Sequence, residues 1–245
     1  MGIKKAAQNI ILGFVPSKKM RHRLRLRMNF NLAPYIEFAR RDSNRPHARV
    51  RTYQGHGGQK KVIVVLDNAI AYKFPLVASR ASGPRREKMF TDAFRKISPI
   101  HLPEMQVLQF RGLDVLKYEF VSGKTVADLP ADVLRRHGDK IAHQLADFLF
   151  AIGMSDPASL RGEKPTPQSR PGYMYGWAHN DIGGNFVIDP ATGDITAFID
   201  WETAAFCDWS NDMRSAYRFF DKHGAGDIIL NAVLLYSKKY ADALK

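Results

Sequence analysis

Apolar and polar positions alternate in short blocks over the first half of the chain and recur at helical spacing over much of the second. Residues 60–66 read as a strand, Asp67-Asn68 as a tight turn, and residues 69–75 as the returning strand. Residues 84–97 open on a proline and set Met89, Phe90, Ala93, Phe94 and Ile97 along one stripe, which predicts a helix. Residues 107–110 and 113–123 predict two more strands around Arg111-Gly112, the second ending at Ser122-Gly123. Helical structure is expected from Ala131 and again over residues 141–153. That second stretch is apolar all round, as a buried helix would be, and it ends on a glycine suited to a C-cap. Residues 155–175 carry four prolines and predict a loop that leads toward the next strand and offers a wall to a binding site. Residues 186–188 and 195–199 flank an Asp/Pro/Gly-rich turn and predict a hairpin.

That hairpin gives the chain its chemistry. It returns Asp200 to the neighbourhood of Asn185, beside the loop that carries Asp181. Magnesium takes oxygen ligands, and phosphoryl transfer uses magnesium to neutralise phosphate charge. Taken singly, Asp181 and Asp200 read as loop carboxylates capping turns. Taken together with partners upstream, they predict phosphoryl transfer. Lys73 lies near the end of its strand, and the loop Gly55-His56-Gly57-Gly58 ahead of the hairpin can bring backbone N–H groups close to phosphate. His143 reads as a helix histidine and not as a catalyst.

His179-x-Asp181…Asn185, Ile199-Asp200-Trp201-Glu202 and Asp208-x-x-x-Asp212 resemble the aminoglycoside phosphotransferase and small-molecule kinase branch of the protein-kinase-like fold. The resemblance implies Asp181, with His179, as the catalytic pair, Asn185 and Asp200 as magnesium ligands, and Asp208 as the brace of the catalytic loop. It also implies Lys73 on the nucleotide phosphates, Glu87 as its partner with Asp92 as the fallback, and Gly55, Gly57 and Gly58 as the phosphate loop. Backbone groups of Glu119, Phe120 and Val121 would meet the adenine. The cofactors implied are ATP and Mg. The interval from Asp181 to Asn185 is four residues where the family has five, and Gly183-Gly184 is expected to absorb the difference through unusual backbone angles.

The expected fold is therefore α+β and bilobal. Residues 1–48 form a basic extension, 49–121 a small antiparallel-sheet lobe, and 122–245 a mainly helical lobe. Little chain is left for a lid, so the expected acceptor is a large or tethered one: a sugar hydroxyl on a bacterial surface glycan or its lipid-linked precursor. That would be similar to the lipopolysaccharide-core sugar kinases. The alternatives are a kinase for a free small molecule, such as an aminoglycoside or a choline-like alcohol, and a nucleotide-binding pseudokinase acting as an interaction module.

Charge refines this picture. Residues 1–51 hold thirteen Lys and Arg against two acids, a net +11, while the whole chain is +13. The excess is a local arm. Residues 1–29 are expected to meet an anionic membrane surface, with an anionic acceptor, nucleic acid and a structural extension of the small lobe ranked below. Its apolar stretch is too short for a secretory signal, and no run is long enough to span a bilayer. A single cysteine excludes intrachain disulfides. The expected location is cytoplasmic, or peripheral at the inner membrane face.

Overall fold

The computed structural model of the chain describes residues 31–54, 61–76, 83–164, 175–243 and 245. The fold is α+β, with two lobes meeting along a cleft.

The small lobe is one five-stranded antiparallel sheet. Its strands are β1 (Val50–Gln54), β2 (Lys61–Leu66), β3 (Ile70–Pro75), β4 (Met105–Phe110) and β5 (Leu113–Glu119), in the order β1-β2-β3-β5-β4. β-Branched residues fill β2, as a half-buried pleated surface favours. Asp67 and Asn68 turn the β2–β3 hairpin with φ of 52° and 54°, a conformation these two residue types tolerate. The register sets Ile63 opposite Lys73 and Lys61 opposite Pro75. Side chains alternate faces along a strand, so Lys61, Ile63 and Lys73 share one face.

Helix α1 (Ala33–Asp42) covers the other face. Tyr35 and Phe38 meet Phe74 at ring distances of 5.1 and 5.8 Å, and Phe38 meets Phe110 at 4.9 Å. Asp42 accepts hydrogen bonds from the Tyr72 hydroxyl at 2.7 Å and from Lys117 at 2.8 Å. Residues 32–48, expected within the basic extension, thus belong to the small lobe.

Helix α2 (Gly83–Phe94) joins the lobes. Its buried Phe90 and Phe94 leave the sheet to pack on Trp177 and Trp201 of the large lobe, with ring centroids 5.6–6.0 Å apart. Arg86 donates to the Ala204 carbonyl at 2.7 Å.

The large lobe is built on α4 (Gly138–Gly153), preceded by the short α3 (Ala131–Arg136). α4 buries Ile141, Leu145, Phe148, Leu149 and Ile152 and leaves His143 exposed, with its Nδ1 toward the Asp139 carbonyl. It ends on Met154 in a right-handed conformation, so the expected glycine cap is not used. Three small antiparallel pairings follow. β6 (Lys124–Thr125) pairs with β8 (Phe186–Ile188), β8 with β9 (Ile195–Phe198), and β7 (Tyr175–Ala178) with β10 (Ala205–Asp208). Helices α5 (Ser210–Asp221) and α6 (Gly226–Ala243) close the lobe. Among the described residues no helix is long and apolar enough to cross a membrane.

Candidate active site

The cleft is organised around Asp200, which follows β9 in a left-handed conformation with φ of 70°. Such a conformation is uncommon for a residue other than glycine and must be held by its surroundings. Here the Ile199 N–H donates to the Asn185 carbonyl at 2.8 Å, which closes the β8–β9 hairpin and sets Asp200 beside Asn185. The expected return of the chain is therefore seen.

Lys73 reaches Asp200 across the cleft, with Nζ 2.6 Å from Oδ1, and also pairs with Glu87 of α2. Lys73 and Glu87 are both buried. Burial alone would lower the lysine pKa, but the Glu87 and Asp200 carboxylates more than offset it and hold the ammonium above its ordinary value. Asp92, the fallback partner, lies at the surface with Lys88 and Arg95.

Lys61 adds a second cation that the motif reading did not single out: it pairs with Oδ2 of Asp200. Burial would raise the Asp200 pKa; the two lysines together bring it below the usual carboxylate range. Counting two residues back from the partner of Lys73 along the hairpin would have found Lys61.

Asp181, at φ −157° and ψ 42°, sits just before a 3₁₀ turn, Ile182–Gly184. Asn185 bridges back to it, donating from Nδ2 to the Asp181 carbonyl at 2.7 Å and to Oδ2 at 3.1 Å. The four-residue interval is thus closed by a side chain. The glycines are not in the positive-φ region; the left-handed residue here is Asn180, at φ 64°. What the glycines supply is room. A Cβ on Gly183 would lie 2.7 Å from the Ser215 carbonyl oxygen, and one on Gly184 would lie 3.0 Å from the Phe219 ring. Burial raises the Asp181 pKa and the nearby Asp200 charge adds to the rise, while the Asn185 bond opposes both.

Two expectations are corrected. The brace of this loop is Asp212 and not Asp208: its buried carboxylate accepts the backbone N–H groups of His179 and Asn180, each at 2.7 Å. Asp208 instead accepts the Ser210 N–H at 3.0 Å at the start of α5. His179 is buried, with Nε2 at 2.9 Å from the Ile199 carbonyl and its ring against Trp201. A ring so enclosed ties the Asp181 loop to the Asp200 loop and does not face an acceptor.

Among the described residues, no three acidic, histidine or cysteine side chains converge into a self-sufficient metal site. Magnesium takes one or two protein oxygens and fills its shell from phosphate and water. Asp200 and the side-chain oxygen of adjacent Asn185 match such a ligand set.

No family model matches the chain, and no curated protein does. Solved structures do. An aminoglycoside phosphotransferase of the APH(2″) type, solved with GDP and kanamycin, superposes with a TM-score of 0.64 at 15% identity, over 84% of this chain and 83% of that one. The streptomycin–ATP complex of APH(2″)-IIa gives 0.58 at 11% identity, over 84% and 86%. Macrolide 2′-phosphotransferase type I gives 0.55 at 14% identity, over 85% and 83%. The fold is that of the aminoglycoside and macrolide phosphotransferases. In this kinase-like fold the Lys73–Glu87 pair belongs to the small lobe, and Asp181, Asn185 and Asp200 to the large one.

The expected hinge, Glu119 to Val121, starts at the last residue of β5. The Phe120 N–H donates to the Ala69 carbonyl at 2.8 Å, and Glu119 still lies in the β5 ladder opposite Ile70. Gly55, Gly57 and Gly58 lie outside the described residues, as does the basic arm up to residue 30.

Proposed function

We propose that the protein is a magnesium- and nucleoside-triphosphate-dependent phosphotransferase acting on a hydroxyl group. The observation that carries this reading is the chain of charge across the cleft: Glu87 to Lys73, Lys73 to Asp200, with Asp200 bound through its loop to Asn185 and so to Asp181. A buried lysine held between two carboxylates is costly unless each charge is matched, and functional sites are where such clusters concentrate.

Each side chain then has a task. Lys73, positioned by Glu87, binds phosphate oxygens, and Lys61 adds charge on the same face. Asp200 and the Asn185 side-chain oxygen would hold magnesium, which would supply neutralisation of the phosphate charge. Asp181 accepts the proton of the acceptor hydroxyl as its oxygen bonds to the γ-phosphorus. The bond from that phosphorus to the β-bridging oxygen breaks, and the nucleoside diphosphate leaves. Most of the rate enhancement comes from alignment and charge neutralisation. His179 and Asp212 fix the loop without touching the reacting atoms.

For the acceptor, the fold neighbours favour a hydroxyl-bearing small molecule over a surface glycan, because those neighbours were solved with kanamycin and streptomycin or are named for macrolides. A glycan acceptor and a membrane-bound arm find no support among them.

The test is magnesium-dependent turnover of ATP or GTP on a panel of hydroxyl acceptors, read as a mass gain of the acceptor. Asp181→Ala and Asp200→Ala should each lower kcat by at least about a hundredfold, the first by removing the general base and the second by removing the hold on the magnesium that neutralises phosphate charge. Turnover that survives both substitutions would place the chemistry elsewhere.

A further inference from the structure

Helix α5 presents a face that the nucleotide cleft does not use. Arg214, Arg218 and Lys222 follow one another at four-residue spacing, so they project along one side of the helix. With Asn211, Ser215 and Phe219 they line a concavity of about 390 Å³, a size suited to a small ligand. The lining contains three cations and no carboxylate. Arg214 is within 3.3 Å of Asp208 and donates to the Asn211 side chain at 2.5 Å. Arg218 and Lys222 pair with no acid among the described residues. Asp221, their neighbour in sequence, sets its carboxylate against Gly226 at the start of α6.

Helix stability does not account for this stripe. Like charges four residues apart weaken a helix. The helix dipole favours Arg218 and Lys222 at the C-terminal end but not Arg214 in the middle.

Position gives the stripe a use. Two residues in the same wall are those on which the catalytic turn rests. The Gly183 N–H donates to Ser215 Oγ at 3.3 Å, and Gly184 faces the Phe219 ring. The concavity therefore adjoins the turn that follows Asp181.

We propose that this concavity holds the anionic part of the acceptor, a phosphate ester or a carboxylate, and that the substrate is a phosphorylated or acidic hydroxy compound and not an amino sugar. The proposal rests on the phosphotransferase reading and narrows its acceptor. Two guanidinium forks with an ammonium beside them match the oxygen pairs of phosphate and carboxylate. Amino sugars are cationic at neutral pH, and the same three charges repel them, so the surface selects by exclusion as well as by attraction. The acceptor would carry its free hydroxyl toward Asp181 while its anion stays on α5. In the transfer the hydroxyl proton goes to Asp181, the γ-phosphoryl to the hydroxyl oxygen, and the nucleoside diphosphate leaves.

The test uses the full chain with Mg·AMP-PNP added to fill the nucleotide site. Glucose 1-phosphate, glucuronate, glucose and glucosamine are titrated by calorimetry. One or both anionic sugars should bind at least about tenfold more tightly than glucose and glucosamine. Which of the two binds separates a phosphate-ester acceptor from a carboxylate one. Arg218→Glu and Lys222→Glu, each confirmed by its melting temperature to be folded, should bring anion binding down to the level of glucose. Three results overturn the proposal: glucosamine or glucose binding as tightly as the anions, anion binding that survives both substitutions, and no binding of either anion. Failure of Mg·AMP-PNP to bind is a separate result that overturns the phosphotransferase reading. The titration is then repeated without nucleotide, and anion binding sensitive to Arg218→Glu would still support the α5 site.

Discussion

At the scale of single residues, His179 shows how a motif position can serve the site without entering the chemistry. Burial lowers its pKa from 6.5 to about 4, against the opposing effect of the Ile199 carbonyl. Nε2 carries the proton toward that carbonyl, and Nδ1 is buried with no partner. A base whose pKa is lower folded than unfolded stabilises the fold in its neutral form. Its contribution is complete above the unfolded value and is lost as pH falls toward the folded one. The gap corresponds to about 3 kcal/mol. Denaturant unfolding at about pH 7.5 and about pH 4.5 should therefore cost wild type more stability than His179→Gln, which keeps a neutral donor. Equal losses would mean that the ring is protonated in the native state. Asp212, pushed up to about 7 by burial, acts with the opposite sign and is common to both proteins. The motif named His179 as a pair with Asp181; only the packing against Trp201 reveals its actual role. Lys61 is the converse case, a site residue that no motif names but that strand register delivers.

At the scale of elements, the catalytic turn and α5 behave as one unit. Asp212 holds the backbone before Asp181, and Gly183-Gly184 let the turn lie directly on Ser215 and Phe219. Gly183→Ala puts a methyl group 2.7 Å from a backbone oxygen that has nowhere to go. The substitution should cost about 1–3 kcal/mol in stability. It should also lower kcat while leaving nucleotide affinity near wild type, since Lys73 and Asp200 lie off this contact. A variant with normal stability and kcat would show that the turn does not rest on α5. Both hairpins were legible because each has β-branched or alternating strands flanking a turn of distinctive composition. The β7–β10 pairing was not: the whole β8–β9 hairpin lies between its two strands, so no short turn announces it. Asp208 and Asp212 occupy the same motif one helical turn apart, and nothing in their spacing says which points back at the loop. The glycine pair was legible as a special position, but its reason was steric clearance and not left-handed backbone, a distinction that needs the neighbouring helix.

At the scale of the whole molecule, the cleft depends on contacts between distant parts of the chain. Lys73 and Asp200 stand 127 residues apart and meet because α2 anchors the sheet to the large lobe through Phe90 and Phe94. The bilobal α+β architecture followed from the order of strands and helices together with the motif resemblance. The place where the lobe begins did not. The charge of residues 1–51 drew attention to an arm, whereas Tyr35 and Phe38 already build the outer face of the sheet. The basic stripe of α5 was invisible for a related reason. Three cations at helical spacing look like a solvated face until their helix is seen against the catalytic turn. In the proposed function, Asp200 and Lys73 receive a magnesium-bound triphosphate that Asp181 does not touch. Calorimetric titration of Mg·ATP into wild type, Asp200→Ala and Asp181→Ala separates these roles. The expected result is binding by wild type and Asp181→Ala at similar affinity, with a loss of at least about tenfold in Asp200→Ala. Equal binding by Asp200→Ala, or none by wild type, would contradict it.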